Sequence, residues 1–430
     1  MRHFDRAPSR LAPSLREGRS LRLLALLAAF SLAAALGCGD DVTSPVTDAT
    51  PQVLATASSQ SLVFSQVSAG GSHTCGLTQA DLAYCWGLNT DGQIGDGTHI
   101  NRAKPTLISG GLKFVQISAG YAHTCGLTTA DKVYCWGADE DGRLGDGTMS
   151  VNRSTPVLAG GGRRFTRVRA GTYHTCAVNA SDVAFCWGSN NFGELGDKGA
   201  VFESATPVRV VGGLRFNNVA AGGSFTCGVT TGHKAYCWGY NRDRNLGDGT
   251  STQRTKPVAV LGGLSFRDAI AGGSIISDAQ GTETFPAHAC GVTTENKAYC
   301  WGSDYTGQLG NHQSVGWAAQ PVAVSGGLKF RQVVASDGYT CGVTTVSVAY
   351  CWGDNQHGQL GIGGVASYTD TPAKVAGGLS FTGISAGPGG DHTCGITPGH
   401  AIYCWGVNTE GQLGDGTTTG RTSPVAVVGP

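Results

Sequence analysis

The sequence predicts an all-β protein, a seven-bladed β-propeller, and three observations indicate this fold. A segment reading CGLTQADLAYCWG at residues 75–87 recurs six more times, with its second cysteine ten positions after the first and Trp-Gly next. The opening cysteines lie 50, 51, 51, 63, 51 and 53 residues apart. Each period holds short alternating apolar runs, and four short strands in about fifty residues are typical of one propeller blade.

The first 37 residues are predicted to be a targeting segment that is not part of the fold. A basic stretch with four arginines precedes an apolar run, Leu23–Leu36, that is 14 residues long and too short to cross a bilayer comfortably. It ends in Ala-Leu-Gly-Cys, which resembles a bacterial lipobox, so Cys38 is predicted to carry a lipid. The alternative is an ordinary signal peptide cut near Ala35.

Residues 38–60 are polar and contain Pro, Ser and Thr, which predicts a flexible tether before a propeller at residues 61–430. These features place the protein outside the cell interior, in the cell envelope, lipid-anchored and facing the periplasm or the surface. Export also supplies the oxidising compartment that disulfides require.

One disulfide is predicted in each repeat. If the chain folds back near Ala80, opposed residues of an antiparallel pair bring Cys75 and Cys85 close to bonding distance. Leu77 then faces Ala83, and a polar turn joins the strands. Zinc is disfavoured because each pair stands alone, with nine residues between its two cysteines. The seven predicted pairs are Cys75–Cys85, Cys125–Cys135, Cys176–Cys186, Cys227–Cys237, Cys290–Cys300, Cys341–Cys351 and Cys394–Cys404.

Closure of the ring is expected to need the C-terminal segment. Pro424–Val428 matches the strand that is taken to begin every other blade, so it is predicted to complete blade one. Pro51–Ala55 is a weaker candidate for that strand.

The repeat resembles a known family. VYCWGADEDGRLGDGT, followed by P-x-x-x and AGYAHTCGL, is similar to the repeat of the regulator of chromosome condensation, over residues 62–428. The resemblance implies a seven-bladed propeller and, as one possible activity, guanine-nucleotide exchange on a GTPase. Cysteine replaces two of the family's usual residues in all seven copies, which fits an exported variant and argues against a cytosolic partner.

Three recurring motifs favour structure over chemistry. The Gly-rich segment NTDGQIGDGT could bind calcium or phosphate, but its acids change position between copies. Histidine precedes the opening cysteine by two residues in five copies and is replaced by an aromatic residue in the others, which favours packing over a metal site. The Trp of each Trp-Gly pair is expected to pack between blades.

No catalytic, cofactor or metal site is recognised, and the protein is interpreted as a monomeric, membrane-anchored scaffold that binds an unknown protein or envelope macromolecule. A loop-assembled lyase or glycosidase is the other alternative, and acids clustered with histidines on one face would favour it. Without residues 1–37, Lys+Arg falls to 24 and Asp+Glu to 28, a net charge of −4. No basic excess or stripe is visible, so no nucleic-acid partner is expected.

Blade five supplies the candidate recognition loop. Thirteen extra residues lie before Cys290, just before the strand that is expected to run nearest the axis. Loop insertions in propellers often form the binding face. The candidate contact residues are Ile275, Ile276, Asp278, Glu283, Phe285 and, outside the insertion, Trp317.

Overall fold

The computed structural model describes residues 62–273, 276–277, 283–284, 287–314, 316–364 and 366–430, and of 276–277 and 283–284 it describes the backbone. The targeting segment, Cys38 and the tether lie outside the described residues. The described chain forms seven four-stranded antiparallel sheets and one two-stranded hairpin. The prediction of a seven-bladed all-β propeller is confirmed.

The strands follow the chain in blade order. Blades one to four comprise β1 (Phe64–Ala69), β2 (His73–Thr78), β3 (Ala83–Gly87), β4 (Arg102–Leu107); β5 (Phe114–Ala119), β6 (His123–Thr128), β7 (Val133–Gly137), β8 (Arg153–Leu158); β9 (Arg167–Ala170), β10 (His174–Val178), β11 (Ala184–Ser189), β12 (Glu203–Arg209); and β13 (Phe216–Ala221), β14 (Phe225–Thr230), β15 (Ala235–Gly239), β16 (Arg254–Ala259). Blades five to seven comprise β17 (Phe266–Gly272), β20 (His288–Thr293), β21 (Ala298–Ser303), β22 (Trp317–Ala323); β23 (Phe330–Ala335), β24 (Tyr339–Thr344), β25 (Ala349–Asp354), β26 (Tyr368–Lys374); and β27 (Gly383–Ala386), β28 (His392–Ile396), β29 (Ile402–Gly406), β30 (Arg421–Ala426). Strands β18 (Ile276–Ser277) and β19 (Glu283–Thr284) form the extra hairpin, and short 3₁₀ turns lie at Glu140–Gly142, Gly160–Gly162, Ser325–Gly327 and Ala376–Gly378.

The first strand of each blade, which begins at or near the repeat's Phe, is the innermost. Each first strand contacts the first strand of the next blade, and β27 contacts β1, so these strands encircle the axis. The prediction that the strand carrying the opening cysteine runs nearest the axis is therefore wrong. That strand is the second in its sheet, between the inner and third strands.

Side-chain hydrogen bonds join some of the neighbouring inner strands, which are not paired through their backbones. Gln66 Nε2 donates to the Ile117 carbonyl at 2.9 Å, and its Oε1 accepts from the Ile117 N–H at 3.0 Å. Gln116 and Gln332 bind the next blade's Val168 and Ile384 in the same way. A single amide thus satisfies a donor and an acceptor that would otherwise stay unpaired at a strand edge.

The hairpin prediction is confirmed in detail. Cys75 pairs with Cys85 and Leu77 with Ala83, in the same register as the other six blades. The seven disulfides have Cα–Cα distances of 4.0–4.1 Å, and their pairing is the predicted one. The chain reverses through a residue with positive φ, Asp81 at 62° in blade one, as in a type I turn followed by a left-handed residue.

The closure prediction is wrong. The C-terminal strand β30 pairs with β29 and completes blade seven, because the Pro-containing strand ends each blade rather than beginning it. Blade one already has four strands of its own. The ring closes through hydrogen bonds between blades seven and one: His392 Nε2 lies 2.8 Å from Thr74 Oγ1, and Trp86 Nε1 donates to the Gln412 carbonyl at 2.9 Å. Each outer strand contains a proline, which lacks an N–H and blunts the exposed edge.

The core consists of layers between neighbouring blades. Trp136 of blade two packs in one apolar cluster with Cys75, Cys85 and Ile94 of blade one, as predicted for the Trp-Gly tryptophans. Gly95 makes this possible, since a Cβ at its position would lie 2.6 Å from Trp136 Nε1. Any side chain at that glycine would therefore push the blades apart.

The two ends of the propeller differ in their connections. The loop end carries the turns between first and second strands and the long loops between third and fourth strands, such as residues 70–72 and 88–101. The hairpin end carries the tight turns between second and third strands and the connections between blades, such as residues 79–82 and 108–113. Because the inner strands advance around the ring in the same direction, the seven blades present the same kind of connection at each end.

Candidate protein-binding face

The long Gly-rich loops at the loop end are stabilised by hydrogen bonds from their own side chains. In blade one the Asn89 side chain accepts from the Ile94 N–H at 3.0 Å and donates to the Thr98 and Ile100 carbonyls at 3.0 and 3.1 Å. The loop carbonyl of Gln93 then accepts from Trp136 and Thr124 of the next blade, both at 2.9 Å. The loops therefore join neighbouring blades as well as forming the surface.

The loop aspartates, which had suggested a possible calcium site, form ion pairs with arginine. Asp96 pairs with Arg102 at 2.6 Å, and its carboxylate also accepts from the Thr98 N–H. The same pair recurs in three other blades, as Arg153–Asp146, Arg254–Asp248 and Arg421–Asp415. Hydrogen bonds from threonine and arginine lower the pKa of Asp96 against the opposing effect of burial. Within the described residues no cluster of three or more His, Cys, Asp or Glu could hold a metal ion.

The recurring histidines connect the blades. The buried His123 Nε2 lies 2.8 Å from Thr175 Oγ1 of the next blade, and that hydroxyl donates to the Arg143 carbonyl. The imidazole therefore carries its proton on Nε2, since the hydroxyl hydrogen is already engaged. Burial lowers the pKa of His73 and His174 to about 3, so these rings stay neutral. The packing interpretation of the histidines fits these contacts.

Exposed aromatic side chains gather at the loop end. Five aromatic residues are exposed among those the structure describes: Tyr121, Phe202, Tyr305, Trp317 and Tyr368. Each belongs to a loop-end turn or long loop, or to the first residue of the fourth strand where such a loop ends. The large apolar residues exposed at the hairpin end are aliphatic, for example Val115 and Val346. Tyr and Trp are enriched in protein interfaces because they bury a large area at a small entropic cost.

The blade-five insertion emerges at the same end. It follows β17, the inner strand of its blade, so it begins beside the axis. Its backbone forms a hairpin in which Ile276 pairs with Thr284 and Ser277 with Glu283. Of the predicted contact residues, Ile275, Asp278 and Phe285 lie outside the described residues.

Trp317 is also a residue of the loop end. It is the first residue of β22, 46% exposed, and the Arg244 guanidinium lies 3.1 Å from the centre of its ring. Arg244 belongs to blade four and takes the place of a glycine that the other six blades carry, at a positive φ of 62°. A cation stacked on an exposed tryptophan forms a surface of the type found at interface hot spots.

Among the buried carboxyl groups at the loop end that depart from the repeat, two have a pKa raised to about 7. Glu194 stands where four blades carry glutamine, and burial raises its pKa to about 7. Asp304 stands where most blades carry asparagine, and burial raises its pKa to about 7 as well. Both are 2% exposed or less, so their charged forms are poorly solvated.

The axis holds a cavity of about 470 Å³, lined by the inner strands. Its lining is mainly serine, glutamine and small apolar residues, with Arg169 and Asp268 as charged members. Asn218 donates a hydrogen bond to the Asp268 carboxylate. The cavity presents no recognisable nucleophile–base pair.

Charge is divided between the two ends. Thirteen basic residues lie at the hairpin end: Lys113, Lys132, Arg163, Arg164, Arg167, Arg209, Arg215, Lys234, Arg267, Lys297, Lys329, Arg331 and Lys374. Four acidic residues accompany them: Asp81, Asp131, Asp182 and Glu295. Most of the described acidic residues lie at the loop end, where every blade carries at least one. The sequence shows no basic stripe, but the fold gathers basic residues at the hairpin end. The absence of a nucleic-acid partner stays a prediction.

Acids and histidines meet at two points of the loop end, and such a meeting was the condition set for an enzyme. At the first, His312 Nδ1 lies 3.7 Å from the Asp370 carboxylate. At the second, His357 Nε2 lies 3.9 Å from the Asp391 carboxylate, and burial raises the pKa of Asp391 while His357 opposes that shift. Both side chains are about half exposed, with fractions of 53% and 40%. Two separate, loose pairs do not make a recognisable catalytic set.

The blades have four strands each, and the tryptophan of one blade donates a hydrogen bond to the Gly-rich loop of the preceding blade. This arrangement defines a class of propeller. A family model described as the RCC1-like domain matches residues 32–324. Models of the regulator of chromosome condensation (RCC1) repeat match residues 348–396, 400–430 and 381–412. The chain therefore belongs to the RCC1-like family, as the sequence motif predicted.

The relatives of this chain differ in what they do. The chain is 30% identical over 380 residues to the ultraviolet-B receptor UVR8 of Arabidopsis thaliana, covering 83% of this chain and 80% of that protein. It is also 30% identical over 274 residues to the E3 ubiquitin-protein ligase HERC2 of Mus musculus. That match covers 60% of this chain and 5% of HERC2. The fold is thus shared by proteins of different activity.

Solved structures show the same fold. Human WBSCR16 matches with a TM-score of 0.71 at 20% identity, over 81% of this chain and 95% of that one. Prp20p from Saccharomyces cerevisiae, described with its binding properties to Gsp1p and histones, matches with a TM-score of 0.69 at 19% identity, over 82% and 87%. An RCC1-like propeller supports a protein-binding scaffold or a regulator.

Sequence reasoning found Trp317 but missed the other exposed aromatic residues. A comparison between copies could have found two of them, because Tyr121 aligns with Gly71 and Tyr305 with Thr90. Phe202, 83% exposed, lies in a loop of variable length where no alignment singles it out. The structure brings these residues to one end, which the spacing alone does not reveal.

Proposed function

We propose that the protein is exported, anchored in a membrane by a lipid on Cys38, and binds a protein partner through its loop end without catalysing a reaction. The observation that carries this proposal is the gathering of exposed aromatic residues at the loop end, together with the blade-five hairpin. The seven disulfides support export, because such bonds persist in oxidising compartments. The same reasoning disfavours nucleotide exchange on a cytosolic GTPase.

Contact area and rigidity both favour binding. Phe202 and Tyr305 stand on loops that are fixed by internal hydrogen bonds and by the tryptophan of the next blade, so little order has to be gained when a partner binds. Burial of a few such anchors typically supplies most of the affinity of an interface.

Site-specific photo-crosslinking in intact cells tests the binding face. A photoreactive phenylalanine analogue replaces Phe202, Tyr305 or Tyr368 in one set of variants, and Val115 or Val346 at the hairpin end in the matched control set. We expect one discrete protein adduct from the loop-end positions and none of that size from the controls. The proposal fails if the adduct arises from the control positions or if no loop-end position forms one.

The anchor is tested separately. The Cys38→Ala variant should move from the membrane pellet to the soluble envelope fraction, whereas the wild-type protein should stay in the pellet. Retention of the variant in the pellet after a high-salt wash contradicts lipid anchoring.

A further inference from the structure

The hairpin end is a broad basic surface. Most of its thirteen basic residues are exposed, and blades two to six each carry at least one of them there, whereas blades one and seven carry none. Blade three contributes the densest group, Arg163, Arg164 and Arg167, all exposed within five positions. Local acids neutralise few of these charges: Arg164 lies 3.4 Å from Asp131, and Lys297 lies 3.1 Å from Glu295.

Several of these cations are also fixed in place. Lys113 Nζ donates to the Ala80 carbonyl at 2.5 Å, and Lys329 Nζ donates to the Glu295 carbonyl at 3.3 Å. Arg331 donates to the Thr344 carbonyl at 3.1 Å. These three hydrogen bonds hold the charged groups close to the turns, although the side chains are long.

The N-terminal part of the chain joins the propeller at this same end. Leu62, the first described residue, immediately precedes β1, whose first residue Phe64 lies beside the hairpin turn of blade seven: its N–H donates to the His400 carbonyl at 3.1 Å. Leu62 follows Cys38 by 24 positions in the chain. A random coil of that length has a root-mean-square span of about 25–30 Å.

We propose that the hairpin end docks on an anionic phospholipid surface, which would turn the acidic, aromatic loop end toward the partner. This inference rests on the proposed lipid anchor, which delivers the hairpin end to the membrane. A basic patch adds electrostatic attraction to anionic lipids to the attachment that the lipid provides. Juxtamembrane cations are attracted by the negative potential of such a surface within about a Debye length. Nucleic acid or an acidic polysaccharide would share the charge but would gain nothing from the tether's position.

Vesicle binding of the unlipidated chain tests the surface without the anchor. Residues 39–430 contain all seven sheets and the junction that closes the ring, so this chain serves as the probe. Its co-sedimentation is measured with vesicles of phosphatidylcholine alone and with vesicles containing about one third phosphatidylglycerol. We expect binding to the anionic vesicles at least tenfold stronger, and weakened when salt is raised from 50 to 300 mM.

Two triple variants with equal net charge locate the contact. The hairpin-end variant changes Arg163, Arg164 and Arg167 to Glu, and the control variant changes the exposed residues Lys104, Lys198 and Arg242 to Glu. The hairpin-end variant should bind anionic vesicles at least tenfold more weakly than wild type, and the control should stay within about twofold. Circular dichroism melting checks that both are folded.

The inference is overturned if the wild-type chain binds both kinds of vesicle equally, if the two variants lose affinity equally, or if single-stranded DNA or heparin at equal charge competes the chain off the vesicles completely. If the hairpin-end variant does not fold, the lipid and salt dependence of the wild-type chain decides the question. Because the probe carries no lipid, a failure of the anchor is visible only in the fractionation of Cys38→Ala and leaves this measurement unaffected.

Discussion

Replacing Glu194 by glutamine should stabilise the protein at alkaline pH and leave it unchanged in acid. Burial raises the pKa of the Glu194 carboxyl from 4.5 to about 7. Below about pH 4.5 the group is protonated in both the folded and unfolded chain and has no effect. As pH rises from 4.5 to 7, the unfolded chain loses the proton first, so the folded chain binds more protons and the free energy of unfolding falls.

The magnitude follows from the size of the shift. Each pKa unit corresponds to 1.36 kcal/mol, so the ionised group costs about 3 kcal/mol above pH 7. Glutamine removes this cost and keeps the contacts, because the equivalent Gln308 accepts from the Thr306 N–H at 2.9 Å and donates to Ser303 at 3.3 Å. Ser189 occupies the position of Ser303 in blade three.

Urea denaturation at pH 4.5, 6 and 8 measures the effect. The difference in unfolding free energy between Glu194→Gln and wild type should rise from near zero to about 3 kcal/mol over that range. The reciprocal change Gln93→Glu should introduce the opposite slope in blade one. A difference that is the same at all three pH values would show that Glu194 is ionised in the folded protein and refute the reasoning.

Three further perturbations test the architecture by denaturation or thermal melting. Gly95→Ala should destabilise by about 2 kcal/mol or more, because its Cβ meets Trp136, whereas Gly110→Ala has open space and should cost less than half as much; equal costs would contradict the packing. Replacing Cys75 and Cys85 together by alanine should cost about 2–3 kcal/mol without loss of the fold, and no change would contradict the bond. Deleting residues 419–430 should lower the free energy of unfolding by several kcal/mol, because it removes β30 and exposes the edge of β29. Hydrogen exchange in β1 should change little. Faster exchange in β1 would instead indicate that the C-terminal segment completes blade one.

The sequence predicted the blade contents well because each blade repeats its local rules. The ten-residue cysteine spacing and the alternation of Leu77 and Ala83 determine a hairpin register that the structure reproduces in every copy. The order of strands within a blade was not determined in this way. A repeat has no marked beginning, so Pro424 could equally start one blade or finish another, and only the pairing of β30 with β29 decides.

The candidate surfaces were harder to predict for a different reason. Basic residues at equivalent turns, such as Lys113, Arg164 and Arg215, are about fifty positions apart in the chain, and an acidic loop separates each from the next. The net charge of the chain sums the basic hairpin end and the acidic loop end, so it does not reveal that the two ends differ in charge. The ring brings residues one period apart to the same end, so surface charge and exposed aromatics emerge from the fold rather than from any local motif.

Hydrogen exchange of the full-length protein on anionic vesicles tests the central claim, that the two ends have different roles. The hairpin turns at residues 129–132, 231–234 and 294–297 should exchange more slowly on vesicles than in detergent, while the loops at residues 89–100 and 304–314 should exchange equally in both. Slower exchange in the long loops, with unchanged hairpin turns, would show that the loop end faces the membrane and contradict the account.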